Sequence, residues 1–202
     1  MAADVLCVLE DLGLDRVVAV GGSLGGAVAI VVDRLAPGRW SRLLLAEPVA
    51  FAPSTFTASV ENPMAVAARH RRARFASTDA MRASYRGKQP MSELAPEALD
   101  AYLRWGTVPD REGVRLACDP EIEATIFELS GTPEGAADAW LHLPALATPT
   151  TILTGSDTFL PDVFDEQAAR ASARLLRVPG GHFALHEDTA RGADLILRHA
   201  VL

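Results

Sequence analysis

Val17-Val-Ala-Val-Gly-Gly-Ser-Leu-Gly-Gly26 joins an apolar, β-branched run to Gly21-x-Ser23-x-Gly25, and a helical pattern follows over residues 24–35. The stretch reads as a strand buried on both faces, a sharp turn and a helix, with a serine at the apex. So tight a turn crowds residues two positions either side of its apex, so a side chain at Gly21 or Gly25 is expected to clash. A hydroxyl at a helix start also faces free backbone N–H groups and the positive end of the helix dipole, which favour developing negative charge. Ser23 is therefore the first candidate nucleophile, and the N–H of Leu24 the first candidate oxyanion donor.

On either side of this turn, strands alternate with helices. Residues 3–12 put Val5, Leu6, Leu9 and Leu12 on one helical face, with Gly13 as a natural stop. Pro37-Gly38 ends the helix after the turn. Residues 43–46, 150–154 and 175–178 read as strands, and 187–200 as a closing amphipathic helix. The expectation is an α/β fold: a parallel sheet with flanking helices and right-handed crossovers, built from residues 1–50 and 148–202. Residues 51–147 carry helical patterns at 64–76, 78–86, 95–105, 119–130 and 134–142 and no convincing strand. They read as an all-helical lid over the C-terminal sheet edge, where open α/β sheets bind ligands.

At 202 residues the chain can bury one good core or a core with a small subdomain. A net charge of -7 argues against a nucleic-acid partner. No stretch approaches the roughly 20 apolar residues of a membrane span, so no membrane partner is expected. Cys7 and Cys118 lie far apart and imply no disulfide framework, which favours a reducing, cytoplasmic setting.

A serine nucleophile needs a base to take its proton and an acid to orient that base. His182, in Val178-Pro-Gly-Gly-His-Phe183, follows a strand on a Gly-rich loop and precedes the last helix. It is the preferred base. His70, His142, His186 and His199 fall on helical patterns and read as solvated. His182 and His186 are four apart, yet without a His-Glu-x-x-His pattern or a third ligand they make no metal site. Asp157, in Thr154-Gly-Ser-Asp157, is the preferred acid, and Glu47, at the end of the preceding strand, is the alternative. Four arginines in residues 69–74 could meet an anionic substrate such as a carboxylate or phosphate, against the commoner reading of a solvated helix face. The aromatic residues of residues 51–147 could line an apolar acyl pocket or simply pack a core.

Residues 3–50 and 148–198 together resemble the serine-nucleophile branch of the α/β-hydrolase fold family, with the insertion similar to that family's cap. Gly21-x-Ser23-x-Gly25 looks like its nucleophile elbow, followed in family order by the Gly155-Ser-Asp157 and Gly180-Gly-His182 loops. The resemblance implies hydrolysis of a carboxylic ester or related acyl compound through an acyl-enzyme on Ser23, with no cofactor and no metal. A C–C hydrolase, thioesterase or cofactor-free haloperoxidase would use the same residues. Relatives carry an aspartate one position further from the glycine than Asp157 stands, which keeps Glu47 in play, and often a histidine where this chain has Gly22. In the family several strands and a helix precede the helix matching residues 3–12, and a second oxyanion donor comes from there. As it stands, the sequence therefore also fits a truncated, catalytically impaired protein that binds or associates. Its strand 17–20 would be an exposed edge open to homo-oligomer formation.

Overall fold

The computed structural model describes residues 1–53, 62–130, 132 and 135–201. Helix α1 (Ala2–Asp11) leads into β1 (Val17–Gly22), α2 (Leu24–Leu35) and β2 (Trp40–Ala46). After the inserted segment come β6 (Thr150–Gly155), α8 (Pro161–Arg170), β7 (Arg174–Val178), α9 (Ala184–Glu187) and α10 (Thr189–Ile196), with a last wide turn over Leu197–Val201. The four strands pair in parallel in the order β1-β2-β6-β7.

Alternation along β2 shows why the sheet is buried on both faces. Leu43 and Leu45 point to one side, among Ile30, Val32, Ile152 and Phe164 beneath α2 and α8. Leu44 and Ala46 point to the other, with Leu153, Val178, Ala184 and Leu195 beneath α9 and α10. A strand in this position must be apolar at every residue, and Leu43-Leu-Leu-Ala46 is. Each fully buried leucine contributes roughly 1.5–3 kcal/mol, so Leu45→Ala would cost about 2–5 kcal/mol once the cavity is counted. Edge strand β1 is less covered, with Val18 and Val20 exposed. Leu12, expected on the buried face of α1, is instead its exposed C-cap, and Leu9 is the buried anchor.

The inserted segment differs from expectation in two ways. It holds α3 (Pro63–Arg69), α4 (Thr78–Arg86), α5 (Pro96–Trp105), α6 (Pro120–Ser130) and α7 (Ala136–His142), but it is not all helical. Strands β3 (Arg74–Phe75), β4 (Thr107–Asp110) and β5 (Gly113–Leu116) form an antiparallel sheet in the order β3-β5-β4. Pro109 hides the hairpin from a pattern search, yet β4 is an edge strand, where a missing N–H costs nothing. Gly113 is required: its φ is +144°, and a Cβ there would lie 2.2 Å from the Phe75 carbonyl oxygen. Phe75, Met81, Tyr85, Leu99, Leu103 and Leu116 make a small separate core for this cap. The second difference is α7, whose Ala139 and Trp140 join the main core beside α2. The expected helical start at residue 134 lies outside the described residues. No helix among the described residues is long and apolar enough to cross a membrane.

Candidate active site

Ser23 caps α2 with φ 50° and ψ −118°, a conformation non-glycine residues rarely adopt. Such a residue costs of order 1–3 kcal/mol and persists only where its surroundings over-determine it. Here they do. The Ser23 N–H donates to the Ala46 carbonyl at 2.8 Å, and the Ser23 carbonyl accepts from Val49 N–H at 3.0 Å. A Cβ on Gly21 would lie 2.7 Å from the Gly25 backbone, as expected. Gly25 itself faces open space, so the crowding expected there is absent. Gly26 is the tight position instead, because a Cβ would meet that of Pro48 at 2.6 Å. The turn is thus jammed against the chain leaving β2.

That chain carries Glu47, only 2% exposed and also at positive φ (45°). Its Oε1 accepts from Thr154 Oγ1 and from the Gly155 N–H, each at 3.0 Å. Its Oε2 lies 2.8 Å from His182 Nδ1. Burial pushes the Glu47 carboxyl up, but the hydrogen bonds from His182, Gly155, Thr154 and Thr158 outweigh it and hold the group below its ordinary value. An ionised carboxylate only accepts, so Nδ1 of His182 is the donor in this pair and Nε2 is not engaged by Glu47. Gln167, fully buried on α8, donates to the carbonyls of Pro48 and Ala50 and holds the segment after Glu47 in place.

The structure therefore brings Ser23, Glu47, Asp157 and His182 to the carboxyl edge of the sheet, and the hydrogen bond from the His182 ring goes to Glu47. Asp157 is exposed, its carboxylate accepts from Ser156 Oγ, and its N–H donates to the Gly180 carbonyl. Among the described residues no hydrogen bond joins the Ser23 hydroxyl to His182. The N–H groups of Leu24 and Gly25, in the first turn of α2, have no intrahelical acceptor and remain available to an anion.

Beside the turn, α2 contributes Leu24, Ala27, Val28 and Val31 to a partly open cavity of about 280 Å³, flanked by Met1, Val49 and the end of α6 and lined by none of Ser23, Glu47 and His182. Its lining is almost wholly apolar. The arginines of residues 69–74 do not reach it. Arg69 pairs with Glu121 and Glu128, Arg71 with Glu123, Arg74 with Asp110, and Arg72 lies over the Phe75 ring. They brace the cap internally. His142, expected to be solvated, is nearly buried, with Nε2 3.3 Å from Asp33 Oδ2. Thr154, Gln167 and Glu187, which support the site, carried no motif by which sequence reasoning could single them out.

Comparison with known proteins agrees with this architecture. No curated protein sequence matches the chain. Among solved structures, a thioesterase domain from the curacin biosynthetic pathway is similar over 97% of this chain and 71% of its own (TM-score 0.76, 22% identity). E-2-(acetamidomethylene)succinate hydrolase is similar over 98% and 71% (TM-score 0.74, 16% identity). A peroxisomal α/β-hydrolase of Saccharomyces cerevisiae is similar over 98% and 57% (TM-score 0.78, 20% identity). The family model described as alpha/beta hydrolase family matches residues 1–195, and the chain belongs to that family.

Proposed function

We propose that the protein is a serine hydrolase of carboxylic esters or related acyl compounds, with Ser23 as nucleophile, His182 as general base and Glu47, not Asp157, as the acid. The observation that carries this reading is the 2.8 Å contact between His182 Nδ1 and the buried Glu47 carboxylate, one residue beyond the carbonyl that holds Ser23. Ser23 Oγ attacks the acyl carbon and its proton passes to His182 Nε2. Contacts of this kind tighten once substrate is bound. The oxyanion sits against the Leu24 N–H, supported by the α2 dipole. His182 then protonates the departing alkoxide or thiolate, and water repeats the steps in reverse to release the acid. Glu47 fixes the ring tautomer and stabilises the imidazolium while it lasts. The apolar cavity beside Leu24 suits an uncharged acyl group, and its volume lies near the low end of small-molecule sites, about 300–1,000 Å³.

The test is covalent labelling of Ser23 by a fluorophosphonate, with p-nitrophenyl ester hydrolysis compared between the chain and Ser23→Ala. Labelling at Ser23 and loss of turnover support the reading; a folded protein that is not labelled there sinks it. A second reading, association through the edge of β1 without turnover, rests on the exposure of Val18 and Val20. Equal ester hydrolysis by the two proteins would favour it.

A further inference from the structure

The loop that presents His182 is held from both sides by a single residue. The Glu187 carboxylate accepts the Gly181 N–H with both oxygens, at 3.0 and 3.1 Å. The Glu187 N–H donates to the Phe183 carbonyl at 3.0 Å. His182 lies between those two anchor points, so Glu187 holds the Gly180–Gly181 peptide before it and the Phe183–Ala184 peptide after it. Gly180 is required by its φ of +114°, and the Glu187 carboxylate occupies the space beside it, 2.4 Å from where a Cβ would lie. On its other side the loop rests on the end of β6, where the Gly180 carbonyl accepts from Asp157 N–H at 2.9 Å.

Taking His182 as the base, as proposed above, we infer that Glu187 is a positioning residue: its carboxylate holds the Gly180–Gly181 peptide, one residue ahead of His182, and so aims the His182 ring between Glu47 and Ser23. The Glu47 contact alone leaves the ring free to swing about the Nδ1–Oε2 line. The clamp at Gly181 and Phe183 removes that freedom by fixing the backbone from which the ring projects. Misplacement of a reacting group by about 1 Å can cost about a hundredfold in rate, which sets the scale of the expected effect. A charge-assisted bond from a peptide N–H to a carboxylate is among the stronger local restraints available to a loop.

The test measures kcat and KM for a p-nitrophenyl ester, with the rate of fluorophosphonate labelling at Ser23, in the full chain. Glu187→Ala is expected to lower kcat and the labelling rate by about ten- to a hundredfold, with KM within about threefold of wild type. Glu187→Gln keeps the reach to Gly181 and loses the charge; Glu187→Asp keeps the charge and loses the reach. The inference requires Gln to retain more kcat than Asp, and this pair decides the matter if the alanine variant does not fold. The reverse order overturns it, as does a Glu187→Ala protein with kcat within about twofold of wild type while His182→Ala is inactive. Turnover that survives Ser23→Ala overturns the proposed function and this inference with it.

Discussion

Two buried carboxylates in this molecule each face a histidine, and the difference between them separates chemistry from architecture. Asp33, on the inner face of α2, meets Nε2 of His142 at 3.3 Å and accepts from Thr148 Oγ1 at 2.6 Å. Asp33 lies on α2, His142 on α7 and Thr148 in the connection leading to β6, so the pair joins α2 to α7. Glu47 meets His182 through Nδ1, and His182 sits on a glycine loop at the sheet edge with a quarter of its side chain exposed. In the first pair the ring nitrogen furthest from the backbone is spent on the carboxylate. In the second the carboxylate takes Nδ1 and leaves the far nitrogen unspent. Proximity of acid to imidazole is therefore no sign of catalysis by itself; what counts is which nitrogen the acid takes.

The comparison breaks most sharply at the outward-facing pair. Ser23→Ala and His182→Ala should each lower ester turnover by about 10³-fold or more, measured as kcat against the folded wild-type protein. Glu47→Gln keeps the shape of the site but loses the charge that fixes the Nδ1 proton, and should cost about 10²- to 10⁴-fold in kcat. At the inward-facing pair the sign of the experiment changes. His142→Ala should leave kcat intact and lower stability by about 1–3 kcal/mol in chemical denaturation, because the buried Asp33 loses a partner. Asp157→Asn, altering an exposed carboxylate, should change kcat by no more than about threefold.

A pH titration of stability sharpens the same contrast. The Glu47 carboxyl in the folded protein titrates below its ordinary value of 4.5. Its contribution to stability is therefore full above that value and is lost as pH falls through the lowered one. The stability difference between wild type and Glu47→Gln should be level near neutral pH and shrink in acid, as followed by urea unfolding at successive pH values.

How much of this was readable in the amino acids follows from where each constraint acts. The turn at Ser23 is local: strand, glycine and helix lie within a few residues, and its neighbours can be named in advance. The choice of acid is not local. Asp157 and Glu47 each follow a strand of the same parallel sheet, and which faces His182 depends on loop geometry across that sheet. Glu47 does differ in one readable respect, directly ending an unbroken apolar strand, but nothing in the chain records its positive φ or the Thr154 and Gly155 donors. The hairpin of β4 and β5 was hidden by Pro109 and by strands of four residues, too short for a periodicity to show. His142 looked like a surface residue because its partner stands 109 positions away. The arginines of residues 69–74 looked like a free charge cluster because Glu121, Glu123 and Glu128 lie on another helix.

The hydrogen bonds from Ser23 N–H to Ala46 and from Val49 N–H to Ser23 carry a consequence for how the chain could be divided. Ser23 and Glu47 follow the carboxyl ends of neighbouring parallel strands, which are spaced about 4.8 Å apart, and one helix connects them. Ser23 and Glu47 thus belong to a single β-α-β unit whose ruler is the strand pairing itself, while His182 alone arrives from beyond the inserted segment. Lengthening or exchanging the inserted segment would leave that ruler untouched. On the proposed roles the chain divides into two cassettes, one metering the distance between Ser23 and Glu47 and the other delivering His182.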